Sequence, residues 1–111
     1  MKQQDDTARY LPLTESTYYT LLALLEPLHG YGIMQKVDQL SQGTVAVGPG
    51  TLYGALSSLE KEGLIVKERE EERRKVYALT EKGRRVLAAQ VARLEIMARA
   101  GAAALPSGSG A

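Results

Sequence analysis

A mainly α fold with one small β-hairpin and a long terminal helix is predicted for this 111-residue chain, and three stretches predict it. In the first, Pro49 and Gly63 bracket a run in which Leu52, Leu56 and Leu59 recur at helical spacing. In the second, two segments of strand character, Leu64 to Arg69 and Lys75 to Leu79, flank a charged tip at 70–74. In the third, Thr80 offers a helix cap and an apolar stripe continues to about Ala104.

Taken in order, residues 1–12 are polar until Leu11 and read as a flexible arm. Thr14 is the first cap, opening a helix whose Leu21, Leu22, Leu24, Leu25 and Leu28 make more than one narrow apolar stripe, so it should be buried on two sides. Pro27 falls in its last turn, and His29-Gly30 should end it. A second helix spans about 31–40, with Ile33, Met34, Val37 and Leu40 inward and Lys36 off the stripe, free to approach a phosphate. Gly43 breaks that helix, and the β-branched run Thr44 to Val47 suits one brief strand. Helix 49–62 follows, then the hairpin. Helix, turn, helix and a following hairpin describe a winged helix-turn-helix over 13–79. The last helix, 80–105, would extend ~37 Å, more than so small a domain needs to cover itself. Its face of Leu87, Val91, Leu94, Met97 and Ala98 is therefore assigned to a partner, most simply a second copy of the chain. Residues 106–111, Pro-Ser-Gly-Ser-Gly-Ala, read as a flexible tail.

The chain has no cysteine, which excludes disulfides, thiolate metal sites and cysteine nucleophiles. One histidine, beside a helix-ending glycine, reads as a capping or packing residue, and no second ligand completes a metal site. Gly48-Pro-Gly50 lacks the Lys-Ser/Thr of a phosphate-binding loop. An enzyme is set aside, and no cofactor is expected. No signal peptide or membrane-length apolar run occurs, which is compatible with the cytoplasm.

Two features point instead to nucleic acid. Opposite its leucines, helix 49–62 carries Gly50, Gly54, Ser57 and Lys61, flanked by Tyr53 and Ser58, where an ordinary surface helix carries long polar side chains. Such a backbone can approach another surface closely, as in a major groove. Net charge is only +1, yet residues 61–85 carry nine cations against six anions. In the hairpin, Arg73, Arg74 and Lys75 could reach a DNA backbone or minor groove, while Glu70, Glu71 and Glu72 oppose it. The same run is also what a solvated tip carries, and both readings stay open.

His29-Gly-Tyr-Gly-Ile33, Gly48-Pro-Gly-Thr-Leu-Tyr-Gly-Ala-Leu56, Leu59-Glu-Lys-Glu-Gly-Leu-Ile65 and Arg73-Arg-Lys-Val-Tyr-Ala-Leu-Thr-Glu-Lys-Gly83 together resemble the short form of the PadR family of bacterial transcriptional regulators, over about residues 14–90. The resemblance implies a winged-helix domain that binds double-stranded DNA, a homodimer through the C-terminal helix, and repression from a palindromic operator. It also implies release by a small hydrophobic effector, although the Trp that some short relatives use to stack drugs is absent here. Carried over by position, Thr51 and Tyr53 lie at the phosphate-facing start and side of the recognition helix. Gly54, Ser57 and Lys61 face the groove, and Arg73, Arg74 and Lys75 lie in the wing. The alternative is a winged helix that serves as a protein–protein interaction module without sequence-specific DNA binding.

Overall fold

The computed structural model describes residues 7–105; the first six residues of the expected arm and the whole expected tail lie outside them. Thr14, in extended backbone, starts α1 (Glu15–Ala23) by accepting the Thr17 N–H on its hydroxyl. α1 stops earlier than its leucines suggested. The Leu24 N–H folds back to the Thr20 and Leu21 carbonyls, and Pro27 disfavours helical backbone at Glu26. Leu28–His29 then forms a two-residue strand, β1, in place of the helix end expected there.

His29 does cap a helix, but the next one. Its Nδ1 accepts the Gly32 N–H at 3.4 Å and opens α2 (Gly30–Leu40), which buries Ile33 and Val37. The strand expected at 44–47 is absent. The buried Ser41 hydroxyl takes the Val45 N–H at 3.0 Å, so this segment is an irregular link that turns Val47 into the core. α3 (Pro49–Lys61) begins on Pro49 and sinks Leu52, Leu56 and Leu59.

After Gly63, at φ +78°, the chain enters β2 (Ile65–Glu71) and returns as β3 (Arg74–Leu79). The expected five-residue tip shrinks to Glu72 and Arg73, both at positive φ (+49° and +69°), so Glu71 pairs with Arg74 and Glu70 with Lys75. An extra residue, Glu68, bulges between the Lys67 and Arg69 pairings. The sheet order is β1-β3-β2: Leu28 pairs with Tyr77 and His29 with Val76. This non-local pairing satisfies a backbone edge that Pro27 keeps out of α1.

α4 (Glu81–Ala104) is joined to the rest by a dense corner. The Thr80 hydroxyl donates to the Gly63 carbonyl at 2.7 Å and accepts the Gly83 N–H at 3.0 Å, while the Thr80 N–H reaches the Leu64 carbonyl. A Cβ on Gly83 would collide with the Leu64 carbonyl oxygen and come within 2.9 Å of Leu79 Cδ2. The core lies between this corner, α1, α2 and α3, around Leu21, Ile33, Leu52, Leu56, Leu64 and Val86.

Residues 7–12, expected as part of a free arm, lie on the domain. Ala8–Tyr10 form a 3-10 turn, and the Tyr10 hydroxyl and Arg9 guanidinium both donate to Glu62 Oε1, at 3.0 and 2.9 Å. Farther along, the Leu13 N–H is taken by the buried Gln90 side chain.

Replacing Gly83 with Ala is expected to destabilise the fold by about 2 kcal/mol, the scale of an overpacked contact against backbone; equal stability in urea unfolding would mean the corner relaxes freely. The Tyr10 hydroxyl bond lowers the Glu62 carboxyl below its ordinary value of 4.5, partial desolvation acts against it, and Arg9 lowers it further. Stability from the ionised form is therefore present above pH 4.5 and lost as pH falls through the lower, folded value. Glu62→Gln should flatten that acid limb in melts across this range, and an unchanged limb would remove Glu62 from the acid response.

Candidate nucleic-acid interface

Along α3, Gly50, Gly54, Ser57 and Lys61 succeed one another at helical spacing, and all are exposed. A Cβ at Gly50 or Gly54 would meet nothing within 4 Å, so none of the described residues covers this face at those positions. The helix is narrow there, and a major groove about 12 Å wide can receive its backbone. Thr51, beside Gly50 in the first turn, is also exposed.

The hairpin separates its charges by strand. On β2, Lys67 pairs with Glu70 at 3.3 Å, and Arg69 pairs with Glu68 and Glu71 at 2.9 and 2.7 Å. Exposed pairs of this kind add little stability, but they tie the three β2 carboxylates to cations of the same strand. The hydrogen bond and charge of Glu71, with Glu68 behind them, hold the Arg69 guanidinium more firmly protonated. Arg73, Arg74 and Lys75 open the other side of the hairpin and are exposed. The opposition expected from Glu70 and Glu71 is thus largely spent on β2 cations.

The fold brings the wing cations and α3 together across a cleft of about 560 Å³, walled by His29, Gly30, Tyr31, Tyr53, Arg73, Arg74, Lys75 and Tyr77. The positions of Tyr53 and Gly30 are linked: a Cβ on Gly30 would strike the Tyr53 ring, 2.7 Å from Cζ, so only glycine lets this tyrosine lie over the start of α2. Burial raises the Tyr77 hydroxyl pKa, with Glu60 and Tyr53 adding to the shift, so Tyr77 keeps its proton. Sequence reading left His29 as a cap and passed over Tyr31 and Tyr77. Their signals were the His29-Gly-Tyr31 run and the Arg73-Arg-Lys-Val-Tyr77 run, whose convergence with Tyr53 needs the β1–β3 pairing. Lys36 stands apart, its ammonium held by Glu26 at 2.7 Å, and it lines no part of this cleft.

On α4 the expected partner face is divided. Leu87, 5% exposed, belongs to the chain's own core, and Val91 and Leu94 are half-buried. Met97 and Ala98 are open, as is Ile96, which was not singled out from the sequence; Met97 is 61% and Ile96 66% exposed. An apolar groove of about 360 Å³ runs between α1 and α4, lined by Leu22, Leu25, Arg84, Leu87, Ala88 and Val91. No helix among the described residues is long and apolar enough to cross a membrane.

Similarity to known proteins follows this geometry. A PadR-family transcriptional regulator from Eggerthella lenta is 27% identical, with a TM-score of 0.64 over 96% of this chain and 95% of that one. A transcriptional regulator from Clostridium thermocellum, at 23% identity and a TM-score of 0.66 over 92% of this chain and 99% of that one, shares the fold. Transcriptional regulator YqjI of Escherichia coli is 38% identical over 55 residues, which are 50% of this chain and 27% of that protein. A 37.1 kDa protein in a transposon of Streptomyces fradiae is 43% identical over 61 residues, 55% of this chain and 17% of that protein. The chain thus spans about a quarter or less of the length of these curated relatives. The family described as transcriptional regulator PadR-like matches residues 20–89, from the middle of α1 through the wing into α4. With four α-helices, a three-stranded sheet and a winged-helix corner among the described residues, the chain belongs to the PadR-like family of transcriptional regulators.

Proposed function

We infer that the chain binds double-stranded DNA as a transcriptional regulator in the cytoplasm. The observation that carries this reading is the uncovered Gly50, Gly54, Ser57 and Lys61 face of α3 beside the exposed β3-side cations Arg73, Arg74 and Lys75. α3 enters a major groove, and the wing lies along the flanking backbone. Two copies, joined through the open distal half of α4, read the half-sites of a palindromic operator about one helical turn apart. Bound there, the dimer represses by occupying the DNA. The exposed Ile96 and Met97 support pairing through α4. The apolar α1–α4 groove beside that face supports a small hydrophobic effector that would change the spacing of the two recognition helices. Two residues of the wing turn, Glu72 and Arg73, hold left-handed backbone that glycine adopts without cost. Keeping arginine there supports a role for its charge.

Duplex binding titrated with salt tests the reading. Saturable binding with a palindromic footprint and a steep salt slope is expected, whereas weak, sequence-blind binding would turn the α3 face over to a protein partner. Lys61→Ala and Arg73→Gly should each lower the salt slope by about one, the loss of one phosphate contact, and Arg73→Gly should also stabilise the fold by about 1 kcal/mol. A parental slope in either variant removes that residue from the interface. Leu94→Asp places a charge in the α4 seam and should yield monomers in analytical sedimentation; a surviving dimer would mean the copies pair elsewhere.

A further inference from the structure

The cleft between α2, α3 and the wing contains a conflict of protons. For His29 Nδ1 to accept the Gly32 N–H, a neutral ring must carry its hydrogen on Nε2. Nε2 lies 3.2 Å from the Arg74 guanidinium, which can only donate. If Nε2 accepts from Arg74 instead, the hydrogen moves to Nδ1 and opposes the Gly32 N–H. A neutral His29 cannot satisfy both contacts. One acceptor oxygen set between His29 Nε2–H and Arg74 would convert the clash into two donated bonds, one of them charge-assisted.

The surroundings suit such an oxygen. Arg73 and Lys75 add two further cations to the same cleft, whose volume of about 560 Å³ exceeds what a lone oxyanion needs. Tyr31 and Tyr53, 60% and 52% exposed, present flat walls to whatever the oxyanion is attached to. Glu71 and Glu72 line a neighbouring hollow with His29 and Arg74. Glu71 is already bound by Arg69 at 2.7 Å, which leaves Glu72 as the internal competitor.

We propose that His29 and Arg74 form an oxyanion site that takes a phosphate group. For its DNA-borne source it rests on the DNA-binding reading above: a backbone phosphate fills the site when the wing is docked. In the DNA-free protein a free phosphate or phosphorylated metabolite fills it and competes with the duplex. Operator affinity would then respond to small phosphorylated anions through the DNA face itself, independently of the apolar groove beside α4.

His29 is the chain's only histidine, so its ring signals in a nitrogen–proton NMR spectrum need no further assignment. Inorganic phosphate, titrated against chloride at matched ionic strength and fixed pH, should shift them saturably and place the hydrogen on Nε2. In Arg74→Gln the affinity should fall about tenfold, the scale of one charge-assisted hydrogen bond. In parallel, His29→Asn removes the Nε2 donor while keeping a side-chain oxygen able to cap α2, which an unchanged melting temperature would verify. Its duplex affinity should fall about tenfold on the same grounds, and inorganic phosphate should weaken duplex binding by the wild type more than that by this variant. A saturable shift with full duplex affinity in His29→Asn would keep the site and overturn its use by DNA. A shift that never saturates, or saturates alike in Arg74→Gln, would overturn the site, with Glu72 as its occupant. A saturable shift in a protein that binds no duplex at any salt would instead sink the DNA-binding reading and leave the site standing.

Discussion

The placement of the wing and of α4 depends on one corner. Thr80 ties the Gly63 carbonyl, the Leu64 carbonyl and the Gly83 amide through a single residue, and Gly83 lies against the Leu64 carbonyl where no Cβ fits. These bonds join the end of α3, the start of β2, the end of β3 and the start of α4. A shift there would move the hairpin relative to α3 and swing α4 relative to the core. Hydrogen bonds supply the directionality, and close packing supplies the stiffness.

From that corner the charges follow. β2 is an outer strand of the sheet and pairs its acids with its own Lys67 and Arg69. β3 lies in the middle, so its first residues face β1 and the start of α2. Basic side chains on that strand therefore meet Tyr53 and His29 across the cleft. A net charge of +1 hides this arrangement, because the outer acids cancel the sum without covering the inner cations. The open glycine–serine face of α3 and the cations beside it are thus two products of one topology.

α2, α3 and α4 were legible because their signals are local. Thr80 and Pro49 mark starts, Gly63 marks a stop, and leucines at helical spacing mark the buried face. β1 was illegible: Leu28–His29 has no alternation to read, and it is a strand only because β3 lies beside it. The irregular link at 44–47 was misread for the converse reason. Its β-branched residues favour a strand, yet the Ser41 hydroxyl takes the Val45 amide in place of a strand partner. The exposed small residues of α3 and the cations of the wing were legible by type. The joining of Tyr31, Tyr77 and His29 with them was not, since it spans nearly fifty residues of chain.

By itself the sequence determined the helix and hairpin inventory, the uncovered small-residue face of α3 and the family, because each rests on side-chain type at short spacing. Tertiary structure decided where α1 ends, which strand lies in the middle of the sheet, and that Leu87 turns into the core while Ile96 and Met97 stay open. It also set His29 Nε2 against Arg74. Those outcomes depend on backbone pairing and packing between distant segments, and no local pattern of residues encodes a distance.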